Sequence, residues 1–192
     1  MPATPAPFHN LSAVVFGGGR TAAAATAQAL TDAGANVVVC EPDAVRPPDH
    51  VKDLNFVVIG TGPHVGRGLG DLTAGEFRDA AAAQIVRPWL ILKHTLPLLR
   101  TRPAAVVMIL PRAGRRPARD NIFDCAAFGA LQSMFKSLAL ECGRDHPHVR
   151  VNAVMVGDTE APETVTDSIL HLLSPEADFM TGALVGETGG AP

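Results

Sequence analysis

The sequence predicts a single α/β domain: a doubly wound, mainly parallel sheet with helices on both faces. Three observations carry that prediction. Short runs that are apolar throughout, rather than alternating, recur along the chain, as expected of parallel strands buried on both faces. Segments of helical composition separate them. The first unit runs strand, glycine turn, helix, strand, acid, which is the opening of a dinucleotide-binding fold. At 192 residues the chain can build one sizeable core. Its 47% hydrophobic and 18% charged content suits a globular protein in water.

Residues 1–10, MPATPAPFHN, lack the basic and apolar parts of a signal peptide and read as a disordered, Pro-rich tail, so the domain spans 11–192. SAVVF (12–16) is the first strand. Gly17, Gly18 and Gly19 make the turn, and an Ala-rich helix follows and stops at Gly34. NVVVC (36–40) is the second strand, and Glu41 ends it. The stretch to Leu54 is rich in Pro and charge and reads as loop. NFVVI (55–59) is the third strand, followed by the glycine-rich loop GTGPHVGRGLG. Thr73 with Glu76 three residues on forms a capping box, opening a helix to about residue 100 that Pro88 should kink or break. Further strands are expected at 104–110, 149–156 and 183–185, and further helices at 124–142 and 163–173.

Composition excludes several classes of function. A net charge of −3 gives no reason to propose a nucleic-acid partner. No apolar run reaches the roughly 18 residues a membrane span needs. Cys40, Cys125 and Cys142 are odd in number and form no CxxC, which argues against a disulfide framework or a cysteine zinc site and for a reducing cytoplasm. His146 and His148 lack a third ligand at metal spacing, so no metal is expected. Tyrosine is absent from the whole chain.

SLALE at 137–141, RVNAV at 150–154 and TGALVGETGG at 181–190 follow one another at spacings that resemble the short-chain dehydrogenase/reductase family over nearly the whole chain. The resemblance implies a Rossmann-like domain and a dinucleotide site, and this chain departs from both in specific ways. Of the family's TGxxxGxG turn only the first glycine is kept, as Gly17; Thr21 and Ala23 stand at the other two. Gly17, Gly18, Gly19 and Glu41 are then a cofactor-binding remnant, in which Glu41 would favour NAD over NADP. Only 13 residues separate Glu41 from Asn55, too few for the roughly 30-residue βαβ unit. The family's third strand and helix should therefore be missing. So should its substrate lobe, since little chain separates Gly157 from the last helix.

The catalytic group is the larger departure. By the family's pattern the Tyr position falls on Asp124, the Lys position on Phe128, the Ser position on Pro111 and the helix Asn on Gln84. The Thr that contacts nicotinamide falls on Ala161. The general acid/base, the group that tunes it and the group that holds the substrate oxygen are all replaced. The resemblance thus implies a pseudoenzyme: a non-redox binding or scaffolding subunit with no cofactor. NAD(P) with residual oxidoreductase activity is the alternative.

Other chemistry is open to the same residues. Asp124, with Gln84 and Arg112 near it, could act as general base of a cofactor-independent lyase, isomerase or cyclase; it equally suits a helix N-cap. Arg112, Arg115, Arg116 and Arg119 could grip a phosphate or carboxylate, or simply form a solvated loop. Cys125 reads as a packed thiol. His64, after the third strand, stands at the carboxyl edge where such folds bind ligands. Helices 73–100 and 124–142 correspond to those that pair across the family's two-fold. Trp89, Leu92, Leu96, Leu131, Met134, Phe135 and Leu138 lie at helical spacing on them. A homodimer is expected, or a heteromer with an active relative.

Overall fold

The chain runs β1 (Ser12–Phe16), α1 (Thr21–Asp32), β2 (Asn36–Val39), β3 (Phe56–Gly60), α2 (Ala74–Ala81), α3 (Arg87–Thr95), β4 (Ala104–Pro111), α4 (Ile122–Asp145), β5 (Val149–Val156), α5 (Pro162–Leu173) and β6 (Leu184–Val185). The structure is a computed structural model describing residues 6–17, 21–60, 62, 64–99, 103–157 and 162–186, and only the backbone of Thr21 and of 162–164. The strands form one parallel sheet in the order β2-β1-β3-β4-β5-β6. Each expected strand is present with ends within one residue of those read from the sequence. The sheet is the Rossmann-like architecture expected. β2 is the edge strand, and among the described residues nothing extends the sheet beyond it.

Residues of each strand divide strictly between the two faces. Val14, Phe16, Val57, Ile59, Val106, Met108 and Leu110 pack with α3 and α4 through Ile91, Leu92, Leu131 and Phe135. Ala13, Val15, Phe56, Val58, Ala105, Val107 and Ile109 pack with α1 and α5 through Ala27, Leu30, Ile169 and Leu172. The central strands are thus buried on both sides, which is why their sequences read as unbroken apolar runs. Arg150 closes the far end of the second layer. Its guanidinium donates to the carbonyls of Leu172, Leu173 and Ser174, satisfying the end of α5 that has no intrahelical donors.

Three expectations are corrected. Residues 6–10 do not behave as a disordered tail: Phe8 is buried, its N–H donates to Ala33 O at 3.0 Å, and its ring meets Phe56 edge-on at 5.4 Å. The helix expected over 73–100 is in pieces. Its Thr73–Glu76 capping box is present, but Ala82–Val86 forms a π turn in which Arg87 N–H reaches back to Ala82 O. Pro88 has no N–H and its ring crowds the carbonyl four residues back, so the wider turn takes up the misfit just ahead of it. The next helix begins at Ile122 with Asn121 at the N-cap position, so Asp124 is its third residue and not its cap. Of the apolar residues at helical spacing on the two long helical segments, Leu92, Leu131 and Phe135 are taken by the core. Val86, Trp89 and Leu140 remain exposed on the same helices.

Candidate active site

The carboxyl ends of β1, β3, β4 and β5 point to one edge of the sheet, where ligands bind in open α/β folds. Two halves of this edge have different characters.

On the β1–β3 side, Gly17 adopts a φ of +92°, and a Cβ there would stand 3.1 Å from Gly60 Cα. The end of β3 therefore needs a glycine opposite it as well. A Cβ on Gly60 would in turn lie 3.2 Å from Phe16 O and 3.6 Å from the methyl of Ala23. The distance to Ala23 is an ordinary van der Waals contact, so α1 packs closely on the sheet although the turn has lost its third glycine. Gly18, Gly19 and Ala161 lie outside the described residues. Glu41 is exposed at the edge of the sheet, beside β2, and no element stands beyond it among the described residues. Burial pushes the neighbouring Cys40 thiol up to about 11, against the opposing influence of Arg87, so Cys40 is not a reactive thiol. The described residues make only part of a dinucleotide cradle: Gly17 has a left-handed φ, and nothing among them forms a wall beyond β2.

On the β3–β4 side, the loop after β3 crosses the start of α4. Asp124 is 1% exposed. Its Oδ1 accepts the Val65 N–H at 2.9 Å and its Oδ2 accepts the Gly66 N–H at 3.1 Å. His64 Nδ1 lies 3.1 Å from the same Oδ1. A carboxylate in the first turn of a helix is also favoured by the helix dipole. Asp124 therefore ties the β3 loop to α4, with both oxygens already engaged. On the other side of that loop, a Cβ on Gly62 would meet Gln84 Cγ at 2.7 Å. Gln84 is buried in the π turn, so the loop is held between Gln84 and Asp124.

The loop after β4 covers the adjacent face of α4. Arg112–Arg115 is a single 3₁₀ turn. A Cβ on its buried Gly114 would lie 2.5 Å from Phe128 Cβ and closer still to the carbonyl oxygen of Asp124. Asn121 Nδ2 donates to Ala113 O and pins the turn to the start of α4. Phe128 is 5% exposed beneath it. Arg112 belongs to this turn, and Arg115, Arg116 and Arg119 are exposed, as a solvated loop requires. Cys125 Sγ lies 3.6 Å from Arg116 O. His148 Nε2 is 2.8 Å from Leu99 O, a structural contact. Among the described residues no group of three or more His, Cys, Asp or Glu could hold a metal ion. None of their helices is long and apolar enough to cross a membrane.

The structure thus brings together Asp124 and His64, which the sequence had offered separately, and places Gln84 across the loop from them. Arg112 belongs to the 3₁₀ turn beside them. The role of Asn121 was missed. An Asn just ahead of a helix was visible, but its bond to Ala113 depends on how the Arg/Pro loop folds back.

No protein-family model matches the chain. An L-fucose dehydrogenase of Mus musculus is 27% identical over 92% of this chain and 75% of that protein. Other relatives include an L-xylulose reductase and an uncharacterized oxidoreductase of Bacillus subtilis. Among solved structures, a dehydrogenase/reductase from Sinorhizobium meliloti superposes with a TM-score of 0.82 at 18% identity, over 95% of each chain. A short-chain dehydrogenase/reductase from Brucella melitensis gives 0.79 at 19% identity, over 97% of this chain and 98% of that one.

Proposed function

We propose that this chain, a shortened relative of the short-chain dehydrogenases/reductases, is a non-redox binding or scaffolding subunit that transfers no hydride and uses no cofactor. One observation carries the reading. The residues at the family's Tyr and Lys positions, Asp124 and Phe128, are 1% and 5% exposed, and the turn containing Gly114 lies against both. Redox catalysis of the family type needs a hydroxyl and an ammonium facing the cleft. Here a carboxylate that holds a loop and a phenyl ring that fills the core stand instead. The chain contains no Tyr to take over.

The reading includes self-association as a homodimer through α2–α3 and α4. Val86, Trp89 and Leu140, at 47%, 48% and 79% exposure, leave apolar surface on these helices for a second subunit to cover. A heteromer with an active relative would use the same surface. A reducing, cytoplasmic setting fits the three free cysteines.

A residual NAD(P)-dependent activity is favoured by one feature, the close approach of Gly17 to Gly60 at the strand ends. Fluorescence titration of the purified protein with NADH and NADPH separates the two readings. The expected result is no saturable binding up to about millimolar nucleotide, since a Kd of 1 mM corresponds to only about 4 kcal/mol. Micromolar binding of either nucleotide overturns the cofactor-free reading in favour of a residual reductase. Asp124 as a free general base is disfavoured by the contacts its two oxygens already make.

A further inference from the structure

We propose that His64, oriented by Asp124, is a general base at the carboxyl end of β3, and that the pair hydrolyses small neutral carboxylic esters. The inference does not depend on the non-redox reading. A chain of this fold could carry the pair whether or not it binds a nucleotide.

The geometry assigns different parts to the two residues. Asp124 is buried and its carboxylate only accepts. It is held rigidly, because Val65 and Gly66 donate their backbone N–H groups to its two oxygens. His64 Nδ1 faces Oδ1 at 3.1 Å. With an acceptor on that side, the imidazole places its proton on Nδ1, which leaves the lone pair on Nε2. The His64 side chain is 39% exposed while that of Asp124 is 1% exposed, so the imidazole and not the carboxylate is within a substrate's reach. Gly66, with a φ of +60°, lies beside the ring, and a Cβ there would stand 3.0 Å from Nε2. A ring held on one side by a buried carboxylate, with its side chain partly open to solvent, is what general-base catalysis by histidine requires.

Two physical points select the substrate class. The site is open to solvent, which suits addition of water and works against carbanion or hydride chemistry that needs a dry interior. Ion pairs join Arg67 to Glu76 and join Asp120, on the loop after β4, to Arg119. With these charges paired and the Asp124 carboxylate held by backbone N–H groups, small neutral esters suit the site. In the step, Nε2 takes a proton from water as the water oxygen bonds to the ester carbonyl carbon and the carbonyl π pair moves to oxygen. The tetrahedral adduct then expels the alcohol oxygen, which recovers the proton from Nε2. Ester and water become carboxylic acid and alcohol, and the imidazole is unchanged. Asp124 is a positioning residue in this scheme.

The test uses p-nitrophenyl acetate with the full chain, its His64→Gln variant and its Asp124→Asn variant, together with the ¹⁵N NMR signature of the His64 tautomer. The wild type is expected to turn over repeatedly. His64→Gln changes an exposed side chain, should fold, and should lose about 10²-fold or more of the rate above buffer. Asp124→Asn should release the wild-type tautomer preference and lower the rate. If that variant fails to fold, the wild-type tautomer alone still decides the positioning role. A wild-type rate equal to that of His64→Gln overturns the proposal. So does a wild-type spectrum with the His64 proton on Nε2.

Discussion

Gly114 and Phe128 stand so close that a Cβ on the glycine would lie 2.5 Å from the Cβ of the phenylalanine. The contact seals the 3₁₀ turn onto α4, and the backbone of Asp124 lines the same gap. Neither neighbour is the flexible end of a side chain, so an added methyl must move backbone. Gly114→Ala is expected to destabilise the fold by about 1–3 kcal/mol, the usual range for overpacking. Urea unfolding followed by far-UV circular dichroism measures this directly. An unchanged midpoint would mean that the turn lifts off α4 without cost.

Phe8 packs where a disordered tail was expected. Its ring is 2% exposed and meets Phe56 edge-on. Its N–H bonds to the carbonyl of Ala33, and Asn36 N–H bonds to Leu11 O. The segment thus seals the bottom of the α1–β2 connection. Phe8→Ala should cost about 3 kcal/mol, within the usual range for a buried phenylalanine. Thermal melts of the two proteins under identical conditions give the comparison.

The sheet was legible because each central strand is apolar on both faces, a pattern that depends on local sequence alone. The capping box at Thr73 and Glu76 was legible for the same reason. Phe8 was hidden by its setting among Pro and Ala, since a single aromatic in such a stretch has no periodicity. The π turn was hidden because Pro88 signals a disturbance but not its form. The His64–Asp124 contact joins residues 60 positions apart in sequence. No spacing rule could pair them before the β3 loop was placed over α4. The N-cap reading of Asp124 failed by three residues for a related reason. Ile122 and Phe123 extend the helix backwards, with Phe123 fully buried and set edge-on against Phe77.

Glu76 makes stability depend on pH at the acid end. Its carboxyl is lowered from 4.5 to about 2, chiefly by the Thr73 backbone N–H, then by the Thr73 hydroxyl and by Arg67. The bonds are at 3.0 Å to Thr73 N and 2.8 Å to Thr73 Oγ1. A depressed folded-state value means the unfolded chain takes up the proton first. The stabilisation is therefore fully present above about 4.5 and is lost as pH falls through about 2. Glu76→Gln should be less stable than wild type near neutral pH, with the gap closing across that window. Thr73→Ala removes the helix cap, should cost about 1 kcal/mol near neutral pH, and should shrink the acid-dependent part as well. Urea midpoints of the three proteins at a series of pH values provide the measurement. A gap between wild type and Glu76→Gln that stays constant from neutrality down to about pH 2 would exclude this carboxylate as the source of the acid sensitivity.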